Sequence, residues 1–213
     1  YGEAVPAAVT AAGTQTRSVA IAGWNGPAKI LPVGVRPASG SPGQTSGTLG
    51  TDMLGAGFVL DLEHRRICKL DVLKADSGIH WQVLTLANGS PVITAQEASE
   101  PMKLLLDTGS SGFTLLSTDN LSSTVRTAAP VRPLQVPSFG RMLTVSERKP
   151  TQAVAVMGRN LVMETVYGLD DPDIEVMLKS AGLSGLLGLR PFSGGALVFD
   201  FAGKRIGFGQ LLN

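Results

Sequence analysis

The stretch KLLLDTGSSGFTLLS, residues 103 to 117, sets one carboxylate between two apolar runs and surrounds it with glycine and hydroxyl residues. Asp107 follows three leucines and precedes Thr108, Gly109, Ser110, Ser111 and Gly112, after which the apolar run Phe113 to Leu116 begins. An acid so placed is suited to proton transfer, because a tight turn with glycine lets backbone N–H groups approach a carboxylate and hold its charged form. One strand must lead in, another must lead out, and the turn between them must be braced. Neither Ser110 nor Ser111 is set up as a nucleophile, since no G-x-S-x-G elbow surrounds them.

The other chemistry-bearing residues carry less. His64 and His80 stand apart from any Cys, His or Asp at metal-ligand spacing. Cys68, the single cysteine, lies in the alternating run RRICKL and reads as a small buried hydrophobe in a strand. Residues 37–50, PASGSPGQTSGTLG, lack the GK[ST] of a phosphate-binding loop and read as a connection. The acids of LDDPDIE, 169–175, have no calcium-loop pattern and suit the start of a helix. That helix is expected over 171–183, with Asp171 as cap, Pro172 in the first turn and Gly182 at the end.

Twenty-six glycines and thirteen prolines, with short aliphatic and β-branched runs between them, predict a mainly β fold of many short strands. A length of 213 residues allows one large domain or two small lobes with a core. No apolar run approaches the roughly 20 residues a membrane-spanning helix needs. The formal net charge is +1 and the basic residues are scattered, Arg65-Arg66 being the densest pair, so no nucleic-acid partner is expected. With one cysteine there is no disulfide framework. The sequence starts at Tyr1 without an initiator methionine or signal peptide, which reads as a processed, trimmed or partial product.

Self-comparison places TLGTDMLGAGFVLDLEHRRICKL (48–70) on LLGLRPFSGGALVFDFAGKRIGFG (186–209), with Asp61 on Asp200 and Arg66-Ile67 on Arg205-Ile206. Upstream, SVAIAG (18–23) matches AVAVMG (153–158), VGV (33–35) resembles YGL (167–169), and Tyr1-Gly2 resembles Phe139-Gly140. The offsets stay between about 133 and 139, so the match is collinear and implies a duplicated lobe. The second copy carries Asp-Thr-Gly about 80 residues before Leu187; the equivalent in the first copy falls about thirty residues before Tyr1. Asp52, Asp61 and Asp200 lack the Asp-Thr-Gly context and read as a helix cap and two turn or strand-end acids.

LLLDTGSSG, the signatures TLG and LLG, the ending ALVFDFAGKRIGFG and the segment HWQVLTLANG (80–89) together make the chain resemble the pepsin-like and retropepsin-like aspartic peptidases over nearly its whole length. The resemblance implies a two-lobed acid-protease β-barrel fold. Residues 1–70 would form the end of the first lobe, 71–100 the inter-lobe strands, and 101–213 the second lobe. It implies that Asp107 is catalytic, that Thr108 braces the opposing loop, that Ser110 hydrogen-bonds the carboxylate, and that Leu187-Gly188 passes beneath the loop. Tyr1 and Gly2 would belong to a flap tip and Phe139 to the matching hairpin, with Ser111 and Gly112 near the substrate.

The implied activity is that of an aspartic endopeptidase acting on an extended peptide or protein, with no cofactor and a periplasmic or secreted location. Its second carboxylate is expected on an upstream segment or on another chain. Two alternatives stay open: a peptidase-like binding or inhibitor module without a dyad, and a homodimer in which two copies of Asp107 meet.

Overall fold

A computed structural model describes residues 15–21, 24–30, 54–70, 78–87, 89–97, 100–110, 112–138, 141–161 and 163–211. Tyr1, Gly2, Ser111 and Phe139 lie outside the described residues, as do Leu49, Gly50 and Asp52. The chain divides into two compact units, Tyr1–Ala56 and Gly57–Asn213. In the first, β1 (Gln15–Ile21) and β2 (Trp24–Ile30) form an antiparallel hairpin.

The second unit continues with β3 (Gly57–Asp61), β4 (Arg66–Lys69), β5 (His80–Val83), β6 (Thr85–Ala87), β7 (Ser90–Glu97), β8 (Glu100–Leu106) and β9 (Leu115–Ser117). A short helix, α1 (Ser123–Thr127), precedes β10 (Ala129–Ser138), β11 (Arg141–Lys149), β12 (Val154–Val156), β13 (Arg159–Leu161) and β14 (Val166–Leu169). Then come α2 (Pro172–Ser180), β15 (Gly185–Leu187), β16 (Ala196–Asp200) and β17 (Arg205–Gly209). The protein is mainly β.

Ten strands form one sheet in the order β10-β11-β14-β9-β15-β8-β7-β12-β13, with β6 also on β7. Five form the other, in the order β4-β3-β16-β17-β5. In β8 the side chains of Met102, Leu104 and Leu106 are buried while Lys103 is exposed, the two-residue period of a strand with one face inward. This alternation anchors the chain up to the residue before Asp107. On the other side of the core, α2 packs Ile174 and Leu178 with Val145, Tyr167, Leu169 and Leu186.

The helix forms where the sequence predicts it. The Asp171 carboxylate accepts the N–H groups of Asp173 and Ile174, at 3.1 Å each, and so satisfies donors that have no partner within the helix. Helical structure ends at Ser180, and Gly182 takes a φ of +66°, a left-handed conformation that glycine adopts without steric cost.

The self-similar segments fold alike. In β3–β4, Val59 pairs with Cys68 and Asp61 with Arg66; in β16–β17, Val198 pairs with Gly207 and Asp200 with Arg205, the same register shifted by 139 residues. Arg65 and Lys204, related by that shift, both have positive φ, 54° and 50°. β3 and β16 then pair antiparallel with Val59 opposite Val198, so the two hairpins meet about a local two-fold axis through equivalent residues. β1–β2 and β12–β13 close in the same way, at Ile21↔Trp24 and at Val156↔Arg159, with a shift of 135.

Candidate active site

Asp107 sits at the exit of β8, on the loop that returns the chain to β9. β15 lies between these two strands, parallel to β8 and antiparallel to β9. The loop therefore spans the end of a strand that arrives about 80 residues later in the chain. Main-chain hydrogen bonds stitch the loop to that strand: Asp107 N–H donates to the Leu187 carbonyl (2.9 Å), Gly188 N–H to that of Thr114 (2.8 Å), and Leu189 N–H to that of Ser110 (2.7 Å).

Gly188 makes this crossing possible. A methyl group added there would stand 2.4 Å from the Phe113 carbonyl oxygen and 2.8 Å from that of Ser110. Neither approach is open to a side chain, so the backbones pass at a distance only glycine allows. Leu187, fully buried, holds the strand below.

The Asp107 side chain is half-buried, and its carboxylate accepts the Gly109 N–H at 3.0 Å. Ser110 joins the turn through its main chain: its N–H donates to the Asp107 carbonyl at 3.1 Å and its own carbonyl accepts from Leu189. With Asp107 and Ser110 three residues apart, the first of these bonds closes the turn. Thr108 and Gly109 are exposed at its crest, as is Gly112 further along the loop.

Two hydroxyls that the sequence analysis passed over brace this region from below. Thr114, buried, donates to the Thr165 carbonyl, and Ser117, also buried, donates to that of Ser184. The Phe113 ring meets Tyr167 edge-on, with centroids 4.7 Å apart. A hydroxyl inside the apolar run Phe113 to Leu116 was the available signal for Thr114.

Asp61 and Asp200 occupy equivalent places remote in role from Asp107. Each accepts an arginine Nε at 2.7 Å, from Arg66 and Arg205, and each accepts the backbone N–H three residues on, from His64 (3.1 Å) and Gly203 (2.7 Å). Burial pushes the Asp61 carboxyl up, but Arg66 and His64 outweigh it and hold it below the usual carboxylate range. Arg205 and then Gly203 hold Asp200 down in the same way, against burial. His64 Nδ1 lies 3.0 Å from Asp61 Oδ2, so this histidine belongs to the turn.

A shallow polar cleft of about 330 Å³ opens beside α2, lined by residues including Asp119, Arg148, Asp170 and Glu175. Asp107 is not among its lining residues, and the loop chemistry above outweighs mere concavity as a guide to the site. Among the described residues no helix is long and apolar enough to cross a membrane. The site is thus a carboxylate on a tightly stitched loop in a mainly β protein with paired, self-similar hairpins. No protein-family model and no curated protein matches the chain.

Proposed function

We propose that the chain is the larger part of a two-lobed aspartic endopeptidase of the pepsin-like and retropepsin-like kind, with Asp107 as one carboxylate of its dyad. The observation that carries this reading is the Asp107 loop, closed over β15 with Gly188 beneath it and Gly109 N–H on the carboxylate. The matched registers of the closing hairpins support a duplicated lobe, and a duplicated lobe supplies a second such loop to face the first. That loop belongs to an upstream segment, about thirty residues before Tyr1 by the spacing of the copies.

Two carboxylates a few ångströms apart cannot both ionise, so they share one proton and titrate as a pair. The charged member takes a proton from a bound water, whose oxygen adds to the scissile carbonyl carbon. The protonated member donates to the carbonyl oxygen, and the tetrahedral intermediate collapses with a proton passed to the leaving amine. Rigidity in the loop serves this chemistry, since proton transfer requires the acid at hydrogen-bond distance from water and substrate. The substrate is an extended peptide, held by main-chain hydrogen bonds. The carboxylates and water complete the reaction without a cofactor.

Asp107→Asn in the natural full-length polypeptide should reduce cleavage of unstructured peptides by about 10²–10⁴-fold, the usual scale for loss of a general acid or base. The thermal unfolding transition should stay in place, since Asn retains an acceptor for Gly109. Undiminished cleavage by that variant overturns the reading. An upstream segment without Asp-Thr/Ser-Gly, in a protein that binds peptides and does not cut them, replaces it with the binding or inhibitor module. Specific activity that rises with protein concentration replaces it with a dimer of two Asp107 loops.

A further inference from the structure

The polar cleft beside α2 takes its shape from one glycine. Val145 of β11 and Leu169 of β14 pack together in the core, so Ser146, Arg148 and Gly168, one or three positions away, fall on the opposite face of the sheet. Gly168 pairs with Ser146, and a methyl group there would stand 2.5 Å from both Nε and Cζ of Arg148. The guanidinium therefore crosses bare backbone. Its Nη1 donates to Asp119 Oδ1 at 2.5 Å and to the Val125 carbonyl at 2.9 Å. So held, it lines the cleft together with Glu175 of α2 and the residues that follow β9.

The charges of this lining are answered unevenly. Arg148 is neutralised by Asp119. The Glu175 carboxylate accepts Lys179 Nζ at 2.6 Å and Asn120 Nδ2 at 3.1 Å from each oxygen. Lys179 first and Asn120 next hold that carboxyl below its usual range, so it stays charged. Asp170, exposed in the same lining, has neither a cation nor a hydrogen-bond donor among the described residues. Thr118 also lines the cleft and is only 3% exposed. Its hydroxyl lies near enough to Glu175 to favour the charged carboxyl, yet it makes no hydrogen bond of its own. A buried hydroxyl left in that state costs free energy that an incoming partner recovers.

We propose that this cleft binds a primary ammonium group, carried by a small amine or by a lysine side chain. An ammonium has three N–H donors, and the cleft offers it the carboxylates of Asp170 and Glu175 and the Thr118 hydroxyl as acceptors. Three acids against one arginine line the cleft, which favours a cation and repels an anion. Pro133 gives the alkyl stem an apolar wall. A volume of about 330 Å³ suits one side chain or a small molecule and not a folded segment. The cleft lies beyond the far end of β9 from the Asp107 loop, since Thr118 follows the last residue of that strand. The inference is therefore independent of the peptidase reading.

Butylamine titrated into the natural full-length polypeptide, followed by residue-resolved amide NMR, tests the proposal. The amides of Ser146, Asp170 and Glu175 should shift saturably, with a millimolar Kd in keeping with so small a ligand. Asp170→Asn should weaken binding about tenfold, the scale of a charge-assisted hydrogen bond. Thr118→Val should weaken it by a similar factor, while Thr118→Ser, which keeps the hydroxyl, should bind like wild type. Butyltrimethylammonium has the charge without the N–H donors and should bind at least about tenfold more weakly. Shifts that do not saturate, equal binding of the trimethylated probe, or an unchanged Kd in Asp170→Asn overturns the proposal. The source of the ammonium is read with an end-blocked unstructured peptide containing one lysine, added to the Asp107→Asn variant so that no cleavage intervenes. Tighter binding than butylamine assigns the cleft to a polypeptide lysine; butylamine binding with the peptide excluded assigns it to small amines. Asp107→Asn should leave the butylamine Kd unchanged, and Asp170→Asn should leave cleavage of lysine-free peptides unchanged, so the two readings fail separately.

Discussion

Gly188 and Asp107 are coupled through the backbone, and the coupling can be measured. A β-carbon at 188 would force apart the Phe113 and Ser110 carbonyls, which belong to the loop that carries the carboxylate. Gly188→Ala should therefore destabilise the protein by about 1–3 kcal/mol, the range for overfilling a packed site. On the peptidase reading proposed above, it should also lower peptide cleavage further than that loss of folded protein explains. Gly194→Ala is the control: its added methyl meets nothing within 4 Å, so its effect should stay within about 0.5 kcal/mol. Urea denaturation of both variants gives the comparison. Equal stabilities would mean that the loop moves freely over β15.

At the scale of elements, Glu97 joins β7 to α1, although 25 residues separate it from the helix cap Ser122. Its carboxylate, 7% exposed, accepts the Ser122 hydroxyl at 2.7 Å and the N–H groups of Ser123 and Thr124 at 2.9 and 2.5 Å. Burial pushes this acid up, but the hydrogen bonds prevail and hold it below the usual range. A carboxyl lowered on folding stabilises above its unfolded pKa of about 4.3, and the contribution is lost as pH falls through the lower folded value. Glu97→Gln, which sets an amide N–H₂ against donors, should cost about 1–3 kcal/mol at pH 7. The gap from wild type should narrow as denaturation is measured at pH values falling below 4. A constant gap would show that shape, and not charge, holds α1. This element also explains what sequence could and could not disclose. α2 was legible because Asp171, Pro172 and Gly182 signal its ends locally. α1 was not, since its five residues carry no period and the anion at its N-terminus comes from a distant strand. The Asp107 loop was legible from residue types, a glycine turn between two apolar runs, but the strand beneath it was not, because β15 arrives about 80 residues later in the chain.

At the scale of the molecule, the repeat is both the most legible feature of the sequence and the one whose geometry sequence left open. Matching Asp61 to Asp200 and Arg66 to Arg205 disclosed two copies of a hairpin, but not that β3 and β16 would lie side by side with Val59 opposite Val198. That pairing sets Asp61 opposite Ala196 and Asp200 opposite Gly57, at the two ends of one ladder. Phe58 and Phe199, stacked at 4.5 Å across it, tie the copies together. Among the described residues the two carboxylates share no hydrogen-bond partner: Asp61 uses His64 and Arg66, Asp200 uses Gly203 and Arg205. Equivalent and separate sites should contribute alike and independently. Asp61→Asn and Asp200→Asn should each cost about 1–2 kcal/mol, from a charge-assisted bond to an arginine that is itself half in water. Their double variant should lose the sum to within about 0.5 kcal/mol. Both carboxyls are held low on folding, so both losses should shrink as pH falls below about 4. A double variant far less stable than the sum would mean that the two hairpins hold each other in register through these turns, and that the ladder between them is weaker than its five residue pairs suggest.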